Sequence, residues 1–111
     1  MPLKKVTAVI RDSRVPSAFD SLKTAGVRGA SVFRVKGFGE YTNNYAPDGL
    51  ESYSRIEVII DEQRAQTVAE LIMEAAHTGT TGDGIVAITA VEHLFRIRDK
   101  CEVIAGGHAK S

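Results

Sequence analysis

The sequence predicts an α+β domain of ferredoxin-like type, with elements in the order βαββαβ, a four-stranded antiparallel sheet and two helices on one of its faces. Three observations lead there. The apolar pattern alternates between the period of a strand and the period of a helix, and does so in that order. A length of 111 residues supports one domain and is too short for a two-lobed dinucleotide fold or an eight-unit barrel. A hydrophobic fraction of 43% with 25% charged residues belongs to a globular chain, not a disordered one.

The first strand is Lys5 to Ile10, with Val6, Ala8 and Ile10 on one face. From Val15 the spacing becomes helical: Val15, Ala18, Phe19, Leu22 and Ala25 form one stripe. Pro16 suits the first turn of that helix and Gly26 the residue just past its end. Ser31 to Val35 is the second strand, with Phe33 and Val35 on a common face. The stretch Gly37 to Ser54 has no period and is full of turn formers, so it is expected to be an irregular loop. All three tyrosines, Tyr41, Tyr45 and Tyr53, fall within it, which makes it a candidate partner-contact surface. Arg55 to Ile60 is a third strand, and Asp61 is placed to cap a helix with the stripe Ala65, Val68, Ala69, Ile72, Ala75 and Ala76. After a glycine-rich turn, Ile85 to Ile88 is the fourth strand. With both helices on one face, the other keeps Val9, Ile59 and Val86, and a partner chain is expected over it.

Composition removes several function classes. Fourteen basic residues balance fourteen acidic ones and the pI is about 6.8, which disfavours nonspecific nucleic-acid binding. RNA binding on the sheet face would want aromatics on the central strands, whereas the tyrosines cluster in the expected loop. Cys101 is the single cysteine, so one chain builds neither a disulfide framework nor a thiolate zinc cluster. Met1-Pro2-Leu3-Lys4-Lys5 does not lead into a signal peptide and no stretch is long enough to span a membrane, so the cytoplasm is the expected compartment.

Three segments carry candidate chemistry. Thr78-Gly79-Thr80-Thr81-Gly82-Asp83-Gly84 places three glycines between a helix and a strand, where backbone N–H groups can converge on an anion. Alone, the segment suits a helix-ending turn equally well, and no Lys-Ser or Lys-Thr follows to make a Walker A loop. Gly37-Phe38-Gly39 ends a strand, and Arg96-Ile97-Arg98 sets two guanidiniums on one side of an extended segment, a spacing suited to phosphate.

Together, Val35-Lys36-Gly37-Phe38-Gly39, the Thr78–Gly84 turn and Arg96-Ile97-Arg98 resemble the PII signalling family over about residues 3 to 98. The resemblance implies a homotrimer that binds adenine nucleotides between subunits and presses a long loop, the T-loop, on a target transporter or enzyme. It divides the chain into a domain over 1–98, with the T-loop at 37–54 and a phosphate-holding B-loop at 78–84, and a C-terminal tail over 99–111. Gly37, Phe38 and Gly39 would form the T-loop base beside the nucleotide. Gly82, Asp83 and Gly84 would cradle phosphates through the backbone, and Arg96 with Arg98 would neutralise them from the next chain. Ser31 matches a threonine near the adenine, and Glu57 with Ile59 match the strand that flanks the base.

Departures from the family pattern shape the expected ligand. The lysine after G-D-G is Ile85 here, the Arg-Gln pair after G-F-G is Glu40-Tyr41, and the central loop is shorter. The tyrosine uridylylated in some members has no clear counterpart, and Asp99 to Ser111 lacks the usual C-terminal pattern. One phosphate-binding cation fewer and one acid more should weaken ATP more than ADP or AMP. A small anion such as bicarbonate could fill the space left by a missing γ-phosphate, as in PII-like groups linked to carboxysomes and bicarbonate uptake. The expectation is a regulatory binding protein with ADP, AMP or ATP as ligand, no resident cofactor, no catalytic residue and no metal. Alternatives are a regulator of nitrogen metabolism or of a membrane transporter, a trimeric metal-tolerance module, and a weak nucleotide hydrolase. A hydrolase needs a positioned base, and Asp83 is the only acid in the glycine turn. His77, His93 and His108 show no metal-ligand spacing.

Overall fold

Val6, Ala8 and Ile10 point the same way along strand β1 (Leu3–Arg11) and are almost wholly buried. A computed structural model describes residues 2–39 and 49–104 and the backbone of Ala109–Lys110. After a 3-10 turn at Asp12–Arg14 come helix α1 (Val15–Thr24), strand β2 (Ser31–Gly37), strand β3 (Glu51–Asp61), helix α2 (Glu62–Ala76) and strand β4 (Gly84–Val91). The four strands pair antiparallel in the order β2-β3-β1-β4, the sheet expected from the pattern.

Pro16 lies in the first turn of α1, where a missing N–H costs nothing. The helix stops in a Schellman arrangement: Gly26 has φ +83°, its N–H reaches the Lys23 carbonyl (3.0 Å), and the Val27 N–H reaches Leu22 (3.0 Å). Ala18 and Leu22 of α1 and Ala65, Val68, Ala69, Ile72 and Ala76 of α2 close over Val6, Ala8, Ile10, Ile56 and Val58 of the sheet. Small residues on α2 let it lie close to β1.

Three expectations need correction. Asp61 occupies the position before α2, but its side chain makes no capping bond; the Glu62 N–H is satisfied by the Pro2 carbonyl at 3.0 Å. Residues 51–54 are strand, not loop, and Tyr53 pairs with Val35 on one side and Arg11 on the other. Ser54 is the buried inward residue there, its hydroxyl donating to Asp12 Oδ1 at 2.7 Å. Val86 stands opposite the buried Ala8 and packs on the helix side; the open face carries Ile85 instead, opposite Val9.

The chain past β4 also gains structure that the pattern did not foretell. β5 (Phe95–Arg96), β6 (Cys101–Val103) and β7 (Ala109–Lys110) form a separate three-stranded antiparallel sheet. Residues expected as a tail therefore pair with Phe95–Arg96 and with one another. Among the described residues no helix is long and apolar enough to cross a membrane.

Candidate functional site

The turn after α2 is organised by one carboxylate. Asp83 accepts hydrogen bonds from the Thr78 and Gly79 backbone N–H groups, both at 2.9 Å, and from the Thr78 hydroxyl. The Thr78 hydroxyl and amide, then the Gly79 amide and the Arg11 guanidinium, hold this carboxyl far below the usual carboxylate range against the opposing effect of desolvation. Arg11, the last residue of β1, spans the same turn. Its Nη2 donates to Thr80 Oγ1 (3.0 Å) and to the Thr81 carbonyl (2.8 Å), and its Nε lies 3.4 Å from Asp83 Oδ1. A carboxylate with this many donors is ionised and orientationally fixed, which makes it a structural pin and a poor proton acceptor.

Gly84 joins the turn to the sheet at φ +106°, and a Cβ there would lie 1.8 Å from the Val9 carbonyl oxygen. The close approach of two backbones accounts for this glycine without any ligand. Gly37 and Gly39 differ: a Cβ on either would meet nothing within 4 Å. Among the described residues, no neighbour requires glycine at these two positions.

Both glycine segments border one cleft of about 380 Å³ across the end of the sheet's open face. Gly37, Phe38 and Gly39 form one wall, Gly82, Gly84 and Ile85 the other, and Val9, Val35 and Tyr53 the floor between them. Lys36 also lines it. Phe38 and Ile85 are mostly exposed, so the two walls are apolar at their tips. The cleft can hold a flat apolar ring between side chains and an anion against the backbone of the glycine turn.

The other expected site residues do not line this cleft. Ser31 and Glu57 stand directly opposite each other in the β2–β3 ladder on the open face. The Glu57 carboxylate lies 3.3 Å from Arg55 Nε and 3.8 Å from Lys5 Nζ, while the Arg55 guanidinium covers the Phe33 ring at 4.6 Å. Ile59 is exposed and borders a second cavity of about 370 Å³ with Val27, Arg64, Leu94 and Val103. Arg96 and Arg98 are not in an extended run: Arg96 ends β5 opposite Cys101, and Arg98 lies in the turn that follows. Arg96 is already paired, through Nε (3.0 Å) and Nη2 (2.6 Å), with Asp99 Oδ2.

The expected residues thus fall into two groups on one chain. One surrounds the glycine cleft; the other comprises the far end of the open face and the C-terminal hairpin. Tyr53 belongs to the cleft floor rather than to a contact loop. Tyr41, Tyr45, Glu40 and His108 lie outside the described residues. Arg11, which organises the turn, was missed because its partners lie about seventy residues away in sequence, where no local pattern could announce them. Among the described residues no three His, Cys, Asp or Glu side chains are grouped to hold a metal ion.

Comparison with known proteins gives a consistent result. The family model described as nitrogen regulatory protein P-II matches residues 3–101. The chain is 33% identical over 104 residues to a nitrogen regulatory protein P-II of Azospirillum brasilense, covering 86% of this chain and 92% of that one. It is 34% identical to the protein of the same description from Cereibacter sphaeroides, with the same coverage. Among solved structures it is similar to Arabidopsis thaliana PII bound to citrate, with a TM-score of 0.80, 29% identity, and coverage of 91% of this chain and 88% of that chain.

Proposed function

Because the chain belongs to the nitrogen regulatory protein P-II family, we propose that it is a homotrimeric regulator that binds adenine nucleotides at its subunit seams and signals to a target protein through the loop between β2 and β3. The observation that carries this reading is the glycine cleft, where two segments distant in sequence meet around a space of nucleotide dimensions. The split of the site residues supports the seam. Ser31, Glu57, Ile59, Arg96 and Arg98 lie off the cleft, and a second copy bringing its own set to that cleft completes a site that one chain leaves half built. The exposed apolar residues of the open face, Phe33, Ile59 and Ile85, supply the surface such an assembly would cover.

Ile85 shapes the preference among ligands. It stands on the cleft wall where the family pattern has lysine, so the terminal phosphate of ATP loses a cation and ADP or AMP is favoured. Bicarbonate is the co-effector this reading adds, a small singly charged anion in the place a γ-phosphate would take. Citrate bound to the Arabidopsis relative is a precedent within the fold for a small polyanion. Target control in inorganic-carbon metabolism is the favoured reading, with nitrogen metabolism or a membrane transporter as the alternative. A hydrolase is disfavoured because Asp83, the acid of the turn, is engaged by Thr78, Gly79 and Arg11.

Calorimetry with AMP, ADP and ATP, each with and without bicarbonate, tests the reading. Light scattering on the same sample gives the assembly state. The expected result is a trimer with one site per subunit, binding ADP or AMP at least as well as ATP. A monomer, or no heat with any of the three nucleotides, overturns it; an affinity unchanged by bicarbonate removes the co-effector.

A further inference from the structure

We propose that Asp99 is an anionic lock on Arg96: its carboxylate occupies the guanidinium edge that a ligand phosphate would use, so binding there is an exchange of one anion for another. The nature of the ligand rests on the nucleotide reading above, whereas the lock rests on the geometry of the C-terminal hairpin alone.

The two partners are held very differently. Arg96 pairs with Cys101 across the β5–β6 ladder, so residues 97–100 form the connecting turn, and Lys100 adopts φ +57° within it. This fold-back carries Asp99 toward Arg96. One carboxylate oxygen, Oδ2, receives Arg96 Nε and Nη2 at 3.0 and 2.6 Å. The other, Oδ1, accepts the Cys101 backbone N–H at 3.1 Å. The carboxylate is therefore tied to the backbone of its own hairpin, while the guanidinium sits on a long flexible stem. Each side chain is about one third exposed, at 33% and 36%, so an anion from solution can reach the pair. In an exchange the arginine moves and the aspartate stays.

The pairing also settles the charges. The hydrogen bond from Arg96 is the foremost cause holding the Asp99 carboxyl below its ordinary value, and the same bond raises Arg96. Asp99 is thus a full negative charge beside the incoming phosphate throughout the neutral range. Its repulsion grows with the number of phosphate charges, so it acts in the same direction as Ile85 and biases the seam against ATP.

The test uses the full chain with Asp99→Asn, which keeps size and removes charge, and Asp99→Glu, which keeps charge. Calorimetry should show Asp99→Asn binding ATP about tenfold tighter and AMP about twofold tighter, the difference scaling with ligand charge. Asp99→Glu should retain the wild-type ratio of ATP to AMP affinity. An equal change for both nucleotides, or no change, overturns the lock, because a purely structural role does not count phosphates. A second measurement frees the lock from the nucleotide reading: inorganic pyrophosphate is titrated while the Arg96 Nε–H resonance is followed by NMR. The midpoint should fall several-fold in Asp99→Asn; equal midpoints, or no response in either chain, overturn the lock. A shifted pyrophosphate midpoint in a chain that binds no adenine nucleotide refutes the nucleotide reading and leaves the lock standing.

Discussion

The glycine turn and the C-terminal hairpin are each braced by an arginine and an aspartate at a tight backbone reversal, yet they use the same chemistry in opposite ways. In the turn, Asp83 takes up backbone amides and Arg11 takes up a carbonyl and a hydroxyl, so both charges build the loop and stay in it. In the hairpin, Asp99 and Arg96 spend their charges on each other, and only the aspartate is tied to the backbone. On the proposed reading, the turn is a finished cradle and the hairpin holds a cation in reserve. A pre-formed wall lowers the ordering cost of a ligand, and a reserved cation sets which ligand is worth the exchange.

The comparison breaks most visibly at Gly84. In Gly84→Ala the new Cβ meets the Val9 carbonyl at a position where φ is +106°, so β4 must part from β1 or the turn must move. A loss of about 3 kcal/mol or more is expected, lowering Tm by roughly 12 °C or more in thermal unfolding at fixed protein concentration. A stable variant would show that the turn is less finished than its geometry indicates.

Arginine deletions on the two sides sharpen the contrast. Arg96→Ala should weaken nucleotide by about tenfold to a hundredfold in calorimetry while leaving Tm nearly unchanged, because the side-chain partner it has among the described residues, Asp99, is a partly exposed one. Arg11→Met should lower Tm and weaken nucleotide together, by about tenfold in affinity, since it removes the bonds to Thr80 and Thr81 that shape the cradle. Equal profiles for the two variants would erase the distinction between built-in and reserved charge.

Acid titration separates them further. The Asp83 carboxyl is depressed in the folded chain, so its stabilising contribution is fully present above the unfolded carboxylate pKa of about 3.9 and fades as pH falls through its lower folded value. The stability gap between wild type and Asp83→Asn should therefore be constant from neutral pH to about pH 5 and close only in stronger acid. Urea unfolding across that range gives the gap directly; one that closes near neutrality would rule out the pinned carboxylate.

How much of this was legible follows from where the determinants lie. Val6, Ala8 and Ile10, and the stripes of both helices, announce themselves because burial repeats at the period of the element. Ser52 and Ser54 hide the start of β3, since the inward position there is a serine satisfied by Asp12 and no apolar alternation exists to be read. The unbroken apolar run after Gly84 leaves the phase of β4 open, and only the pairing of Gly84 with Ile10 turns Val86 inward. The glycine cleft was legible as two motifs, but their meeting is a property of the sheet order. Arg96 and Arg98 misled because the hairpin depends on pairing with Cys101 to Val103, a segment whose composition resembles a tail.

The smallest effect expected belongs to the hairpin's outer rung. His93 Nδ1 lies 2.6 Å from Glu102 Oε2 and its ring stacks near Phe95, with centroids 6.1 Å apart. Because His93 is mostly exposed, at 66%, water competes for both partners and His93→Gln should cost less than about 0.5 kcal/mol globally. Beside this rung the Val103 N–H donates to the Leu94 carbonyl at 2.7 Å, the backbone bond that closes the hairpin. Loosening the rung should therefore speed exchange of the Val103 amide by about twofold to threefold while amides of β1 keep their protection. If core amides quicken by the same factor, the hairpin unfolds only with the whole domain. The arginine it carries would then be as fixed a part of the fold as Arg11, and the contrast between the two regions would fail at its root.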